Sequence, residues 1–197
     1  MKVDILEQTR KNIFSVPIFE LEVDLKYINI PDEGYRPTWE SGVNSTYGQK
    51  GKIPKETIKY LREKVISCLK QLQDPVDYID IVDVWKNYYL STDYQGYHTH
   101  SNTMWSFIIN HSVEETKTQF FNPCIADIQN QTPLHGSKDM PTIYMPKLKR
   151  GQMILFPSWV AHQVLAGNTG ITISGNVKCM VQRHHSCLLY TSPSPRD

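Results

Sequence analysis

From Tyr78 onward the chain is a succession of short β-rich runs broken by turns, and this pattern constrains the fold more than any other feature. Candidate strands fall at 79–90, 104–110, 117–121, 142–145, 152–156, 162–166 and 171–179. They are rich in Val, Ile, Thr and aromatic residues, which suit a pleated and half-buried surface. Gly, Pro, Asn and Asp bound them and permit the chain to reverse. The expectation is an antiparallel sandwich or barrel with a helix packed beside it.

That helix is predicted over Pro54–Gln73. Ile58, Leu61, Val65, Leu69 and Leu72 fall at helical spacing, and Lys and Glu fill the opposite face. Pro54 suits the first turn and Asp74-Pro75 ends the element. Further upstream, Phe19, Leu21, Val23 and Leu25 alternate with polar residues, the period of a half-buried strand. Pro31–Gly51 reads as a long loop. Residues 122–141, with Pro123, Pro133, Gly136 and Pro141, read as a long polar insertion and a candidate substrate lid. No internal repeat or heptad is present.

Hydrophobic residues make up 40% of the 197 and charged residues 21%, enough apolar material for one folded domain. Lys plus Arg is 21 and Asp plus Glu 20, a net charge of +1, which argues against a partner bound by neutralising many phosphates. No run approaches the ~20 apolar residues of a membrane span. Met1–Lys11 lacks the apolar centre of a secretory signal, so a soluble cytoplasmic protein is expected. Cys68, Cys124, Cys179 and Cys187 are scattered, without a CxxC pair, and read as reduced thiols. The last stretch, Cys187–Asp197, resembles the translation of a transposase adapter used in sequencing libraries. It is set aside as a non-native tail of an environmental sequence. One domain over 1–186 is then expected, with a helix at about 54–73 and a β core at about 78–179.

Among seven histidines, His98 and His100 stand two apart before an apolar run. In extended chain such residues point to one side, so both imidazoles can meet one ion. His162 follows a buried run, a proline break and a tryptophan, 62 residues beyond His100. Ligands so distant in sequence can meet across a β-barrel at a mononuclear site. The HxH pattern is weak by itself, since two histidines on one strand face often only pack or meet solvent.

The wider context carries a resemblance. Trp85-Lys-Asn-Tyr, then His98-Thr-His100-Ser-Asn-Thr-Met-Trp-Ser-Phe-Ile-Ile, then Phe121-Asn-Pro, then Gly151-Gln-Met-Ile-Leu-Phe-Pro-Ser-Trp-Val-Ala-His162 resembles the 2-oxoglutarate/iron(II)-dependent oxygenases of marine phages and bacteria. The opening Phe14-Ser-Val-Pro-Ile-Phe is similar to that family's start, and the likeness runs over roughly residues 14–178. It implies a mainly β fold with flanking helices, the double-stranded β-helix or jelly roll of cupin-like proteins. It also implies Fe(II), 2-oxoglutarate and O2, hydroxylation of a small molecule or a protein side chain, and release of succinate and CO2. If phage-encoded, the protein would work in the host cytoplasm.

The resemblance places His98 at the first ligand position and His162 at the distal one, with His100 where a carboxylate usually stands. One reading is a three-histidine site of His98, His100 and His162. The other makes His100 the first ligand, with Asn102 or water in the second slot. The first is preferred, because imidazole binds Fe(II) well and an amide poorly. A second departure concerns the cosubstrate. The family holds its remote carboxylate with an arginine on the strand after the distal histidine. Here Gly170 or Ile171 stands in that place. Thr172, Ser174, Asn176 and Lys178 share one face by alternation, and Thr172, Ser174 and Lys178 are the candidate cosubstrate contacts. Lys178 would act as a point charge without the arginine fork.

Two rivals remain open. One is a three-histidine dioxygenase that uses no oxo acid. The other is a jelly-roll binding or structural module without catalysis. Trp85, Trp105 and Trp159 are expected in the core, with Trp105 and Trp159 able to flank the metal. Tyr89 and Tyr94 are candidate hydrogen-bonding partners of a ligand.

Overall fold

A computed structural model describes residues 15–38, 42–48, 53–73, 76–127 and 141–181. The elements in chain order are β1 (Phe19–Glu22), β2 (Arg36–Pro37), β3 (Asn44–Ser45), α1 (Lys55–Leu69), β4 (Val76–Tyr89), β5 (Gln95–His98), β6 (Trp105–Asn110), β7 (Thr118–Phe121), β8 (Ile143–Tyr144), β9 (Gln152–Pro157), β10 (His162–Val164) and β11 (Gly170–Val181). A 3-10 turn, Leu25–Tyr27, follows β1, so Leu25 does not extend that strand.

Two antiparallel sheets form. The larger has the order β1-β9-β6-β11-β4-β3-β2 and the smaller β5-β10-β7-β8. From β4 to β11 the chain passes back and forth between the sheets, and β9-β6-β11-β4 faces β5-β10-β7-β8. This is the double-stranded β-helix, a rolled pair of four-stranded sheets, as expected. The 12-residue β11 anchors it, pairing with β4 on one side and β6 on the other.

Side-chain alternation divides the core into two. On the outer face of the large sheet, Phe107, Ile109, Leu155, Ile173 and Val177 pack against Leu61, Val65 and Leu69 of α1. On the inner face, Ile108, Ile154 and Phe156 meet Phe120 and Val160 between the sheets. Because β6 is buried on both faces, Phe107-Ile108-Ile109 run together without alternation, between Ser106 and Asn110, which are buried too. The helix begins at Lys55, with Pro54 as its flanking residue, and ends at Leu69, short of Gln73. Leu72 still packs on the core from the following turn. Leu61 is fully buried. Leu61→Ala is therefore expected to cost about 2–5 kcal/mol, read as a lowered urea midpoint.

Three local expectations need correction. The loop read over 31–51 contributes β2 and β3, which extend the large sheet beyond β4. Gln95–His98, which falls outside the candidate strands, is strand β5. Trp159, expected in the core, is 56% exposed at the turn after β9, whereas Trp85 and Trp105 are buried. Among the described residues no helix is long and apolar enough to cross a membrane. The adapter-like tail and most of the candidate lid, residues 128–140, lie outside the described residues. The ends of the lid segment are tied, because the Asn122 side-chain amide donates to the Pro141 carbonyl at 2.9 Å.

Candidate metal centre

The three sequence-distant histidines meet because of strand register. β10 lies between β5 and β7, and His162 stands directly opposite His98 on one side and Phe120 on the other. His100 follows β5 by two residues, and its backbone N–H donates to the Ser158 carbonyl at 2.9 Å, drawing it back over the barrel mouth. One ligand nitrogen from each of the three rings lies within 4.8 Å of the others. The Nε2 atoms of His100 and His162 are 3.4 Å apart.

Hydrogen bonds orient the rings. His98 Nδ1–H donates to the Gly96 carbonyl at 2.7 Å, and His162 Nδ1–H to the Val160 carbonyl at 3.1 Å. A carbonyl can only accept, so each bond puts the proton on Nδ1 and leaves the Nε2 lone pair for an ion. His100 bonds Asn176, whose Oδ1 also accepts from the Ser106 hydroxyl at 2.9 Å. Ser106 in turn bonds Ser158 at 2.9 Å, and Ser158 accepts from Thr103 at 2.9 Å. His162 is 2% exposed and meets Phe156 edge-on, with ring centroids 4.9 Å apart.

Burial disfavours the imidazolium form of all three rings. It lowers the His98 pKa, although the Gly96 bond opposes this. Burial, then the charge on His98, lowers His100 to about 4. Burial followed by its two histidine neighbours takes His162 well below the usual value. Three neutral imidazoles converging on one point form a donor set suited to a divalent transition metal. The site residues therefore fit Fe(II) by donor type, convergence and protonation state.

A cavity of about 420 Å³ opens beside the trio. Tyr47, Trp85, Gln95, Tyr97 and Asn176 line it with His98 and His100. Among the described residues no Lys, Arg, Asp or Glu lines it. Trp85, and not Trp105 or Trp159, is the tryptophan beside the trio, with its ring 6.0 Å from His100. Thr172 and Ser174 are buried within the barrel, and both lie within reach of the Asn87 amide, at 3.5 and 3.2 Å. Lys178 is exposed and opposite Asp80, and it is not part of the cavity wall. Tyr89 is buried against Val43 and Val164 and bonded to Thr172, while Tyr94 lines the cavity from an exposed position. His111 is half-buried and its backbone carbonyl accepts from Arg150; it is not one of the cluster.

Sequence reasoning placed Asn176 on a polar face without assigning it a task, and it passed over Ser106 and Ser158. Alternation was the available signal, since it puts Ser106 opposite the face of Phe107 and Asn176 opposite that of Val177.

The fold and site together define a double-stranded β-helix with a metal-competent histidine trio at its mouth. The segment that carries the trio, residues 83–176, matches the family model described as "Putative 2OG-Fe(II) oxygenase". This is a shorter span than the sequence resemblance suggested. No curated protein matches the chain. Among solved structures, an oxidoreductase of the 2OG-Fe(II) oxygenase family from Burkholderia pseudomallei is similar at 11% identity and a TM-score of 0.42. That match covers 66% of this chain and 61% of the other, so it spans less than two thirds of that protein's length. A viral collagen prolyl hydroxylase from Paramecium Bursaria Chlorella virus-1, solved with 2OG, is similar at 14% identity and a TM-score of 0.45. It is matched over 68% of this chain and 78% of its own.

Proposed function

We propose that the protein is a mononuclear Fe(II) oxygenase that takes 2-oxoglutarate as cosubstrate. The observation that carries this reading is the convergence of three neutral imidazoles, His162 buried and His98 and His100 half-buried, at the mouth of the rolled β framework, within the segment that matches the oxygenase family. His98, His100 and His162 would hold the metal. Fe(II) with 2-oxoglutarate supplies, when bound, the activation of O2 that converts the oxo acid to succinate and CO2 and a substrate C–H to C–OH.

The chain's own residues have separate tasks. The Gly96 and Val160 carbonyls fix the tautomers of His98 and His162, so that both present Nε2. Asn176, braced by Ser106, holds the His100 ring. Phe120 and Phe156 exclude water from the inner side of His162. The cavity beside the trio provides the space for the oxo acid and substrate, and Thr172 and Ser174 are buried on the strand face that Asn176 shares, outside the cavity wall.

An anaerobic titration tests the reading. Adding 2-oxoglutarate to iron-loaded protein should produce the weak visible charge-transfer band of a chelated oxo acid. Under O2 the same protein should release succinate. Folded, iron-loaded protein that gives neither result would rule out the oxo acid and favour a three-histidine dioxygenase that binds its substrate directly. Folded protein that binds no stoichiometric metal would instead favour a non-enzymatic jelly-roll module.

A further inference from the structure

A dianionic cosubstrate in a barrel normally calls for a buried cation, and among the described residues the interior of this barrel offers none. Among the described residues Lys86 is the one buried Lys or Arg. It stands between Trp85 and Asn87 on β4, so alternation turns it to the outer face, where its ammonium binds Asp32 Oδ1 at 3.1 Å. Of the two residues that stand where the resemblance calls for an arginine, Ile171 is apolar and Gly170 accepts no side chain. Gly170 has φ +116°, and a Cβ there would lie 2.8 Å from Ser112 Oγ and 3.0 Å from its carbonyl oxygen. Lys178 and Arg36 are exposed and absent from the cavity wall.

The inner face carries neutral polar groups instead. Trp85 lines the cavity, 3% exposed, and its buried indole N–H has no hydrogen-bond acceptor. Two residues along β4, Asn87 is 2% exposed and donates to Ser174 and Thr172, while its Oδ1 has no donor. Gln95, 8% exposed, lines the cavity from the facing sheet. Orphaned buried polar atoms are uncommon and call for an explanation, and a bound polar group is one. A half-turn of the Asn87 amide would offer that group N–H donors in place of the carbonyl.

We infer that the remote end of the oxo acid is received by neutral donors, Trp85 and Gln95 of the cavity wall with the half-turned Asn87 amide two residues along β4, whose Oδ1 then accepts from Thr172 and Ser174, and not by a cation. This rests on the oxo-acid reading above and goes beyond it by assigning the anchor and its selectivity. With three neutral imidazoles as ligands, the charge of a divalent ion is not reduced by a carboxylate. The attraction for the anion is therefore concentrated at the metal end. Neutral donors repay little more than the desolvation of a carboxylate, so the pocket discriminates weakly between a charged and an uncharged tail.

The test compares 2-oxoglutarate with 2-oxopentanoate, the same five-carbon chain ending in methyl, by anaerobic calorimetry and charge-transfer titration of Fe(II)-loaded protein. The two dissociation constants should agree within about thirtyfold. Lys178→Ala and Arg36→Ala should each move the 2-oxoglutarate constant less than about threefold, as exposed charges do. Asn87→Asp should weaken 2-oxoglutarate by roughly tenfold or more and 2-oxopentanoate far less, through like-charge repulsion. A larger preference for 2-oxoglutarate, or its loss in either cation variant, overturns the inference. Should Asn87→Asp not fold, the wild-type comparison and the two cation variants still decide. If neither oxo acid binds iron-loaded protein, the proposed function fails, and the inference with it.

Discussion

Replacing His162 with alanine should abolish stoichiometric metal binding. Loss of an outer hydrogen-bond partner of a ligand typically costs 10–100-fold in metal affinity, and removal of a ligand should exceed about a hundredfold. His162 sits at the centre of the arrangement: its ring centroid is 4.2 Å from that of His98 and 5.2 Å from that of His100. Without it, the other two rings remain joined only through the short segment from 98 to 100 and offer two ligands in place of three. Co(II) absorption and metal analysis measure the loss, and circular dichroism checks the fold. Alanine also removes a buried ring packed on Phe120 and Phe156, so some stability should be lost with the metal. His162→Gln separates the two effects, because it keeps most of the volume while an amide is a poor ligand. Both variants should fail to hold metal, and His111→Ala should bind normally. A His162→Ala protein that keeps one tightly bound ion would mean that the trio is not the centre.

The parts of the fold that could be read from the chain are those in which one face of an element is buried and the other wet. Alternation in Phe19–Glu22 and helical spacing in Leu61, Val65 and Leu69 are local consequences of burial on one side, so they appear in the sequence directly. Strand β5 was missed because Gln95-Gly96-Tyr97 has no apolar alternation. Its extended form comes from pairing with β10, a tertiary contact. Trp159 was misread for the opposite reason: a large aromatic normally signals burial, yet this one sits on the turn that follows Pro157. At the site, the three histidines were legible as residue types, but their meeting was not. It depends on the register that sets His162 opposite His98, and a slip of one residue would turn His162 to the other face. The bracing chain Asn176–Ser106–Ser158 was harder still, because neutral polar residues in strands look the same whether they face water or a buried ring.

Register at the site depends on β11, and there Gly175→Ala should have the second large effect. A Cβ at this position would lie 2.2 Å from Phe107 Cζ, 2.6 Å from Cε1 and 2.8 Å from the Asp83 carbonyl oxygen. The Phe107 ring lies across the strand where a side chain would otherwise stand. It cannot retreat freely, since it is 1% exposed in the cluster that includes α1. The carbonyl cannot retreat without disturbing the β4–β11 ladder, in which Gly175 stands opposite Val84. Overpacking commonly costs 1–3 kcal/mol, and with both a ring and a backbone atom in the way about 3 kcal/mol or more is expected. That is a large share of the roughly 5–15 kcal/mol that holds a domain together, so a marked fall in urea midpoint should follow. Phe107→Leu in the Gly175→Ala background should restore part of the loss, although Phe107→Leu alone is destabilising. Such a sign change is the mark of a direct steric coupling. An unchanged midpoint for Gly175→Ala would contradict the packing of Phe107 over β11. The neighbour of Gly175 is Asn176, which braces His100, so the strain should also reach the metal. Metal affinity should fall in Gly175→Ala, by less than in His162→Ala, and recover in parallel with stability when the ring at 107 is made smaller.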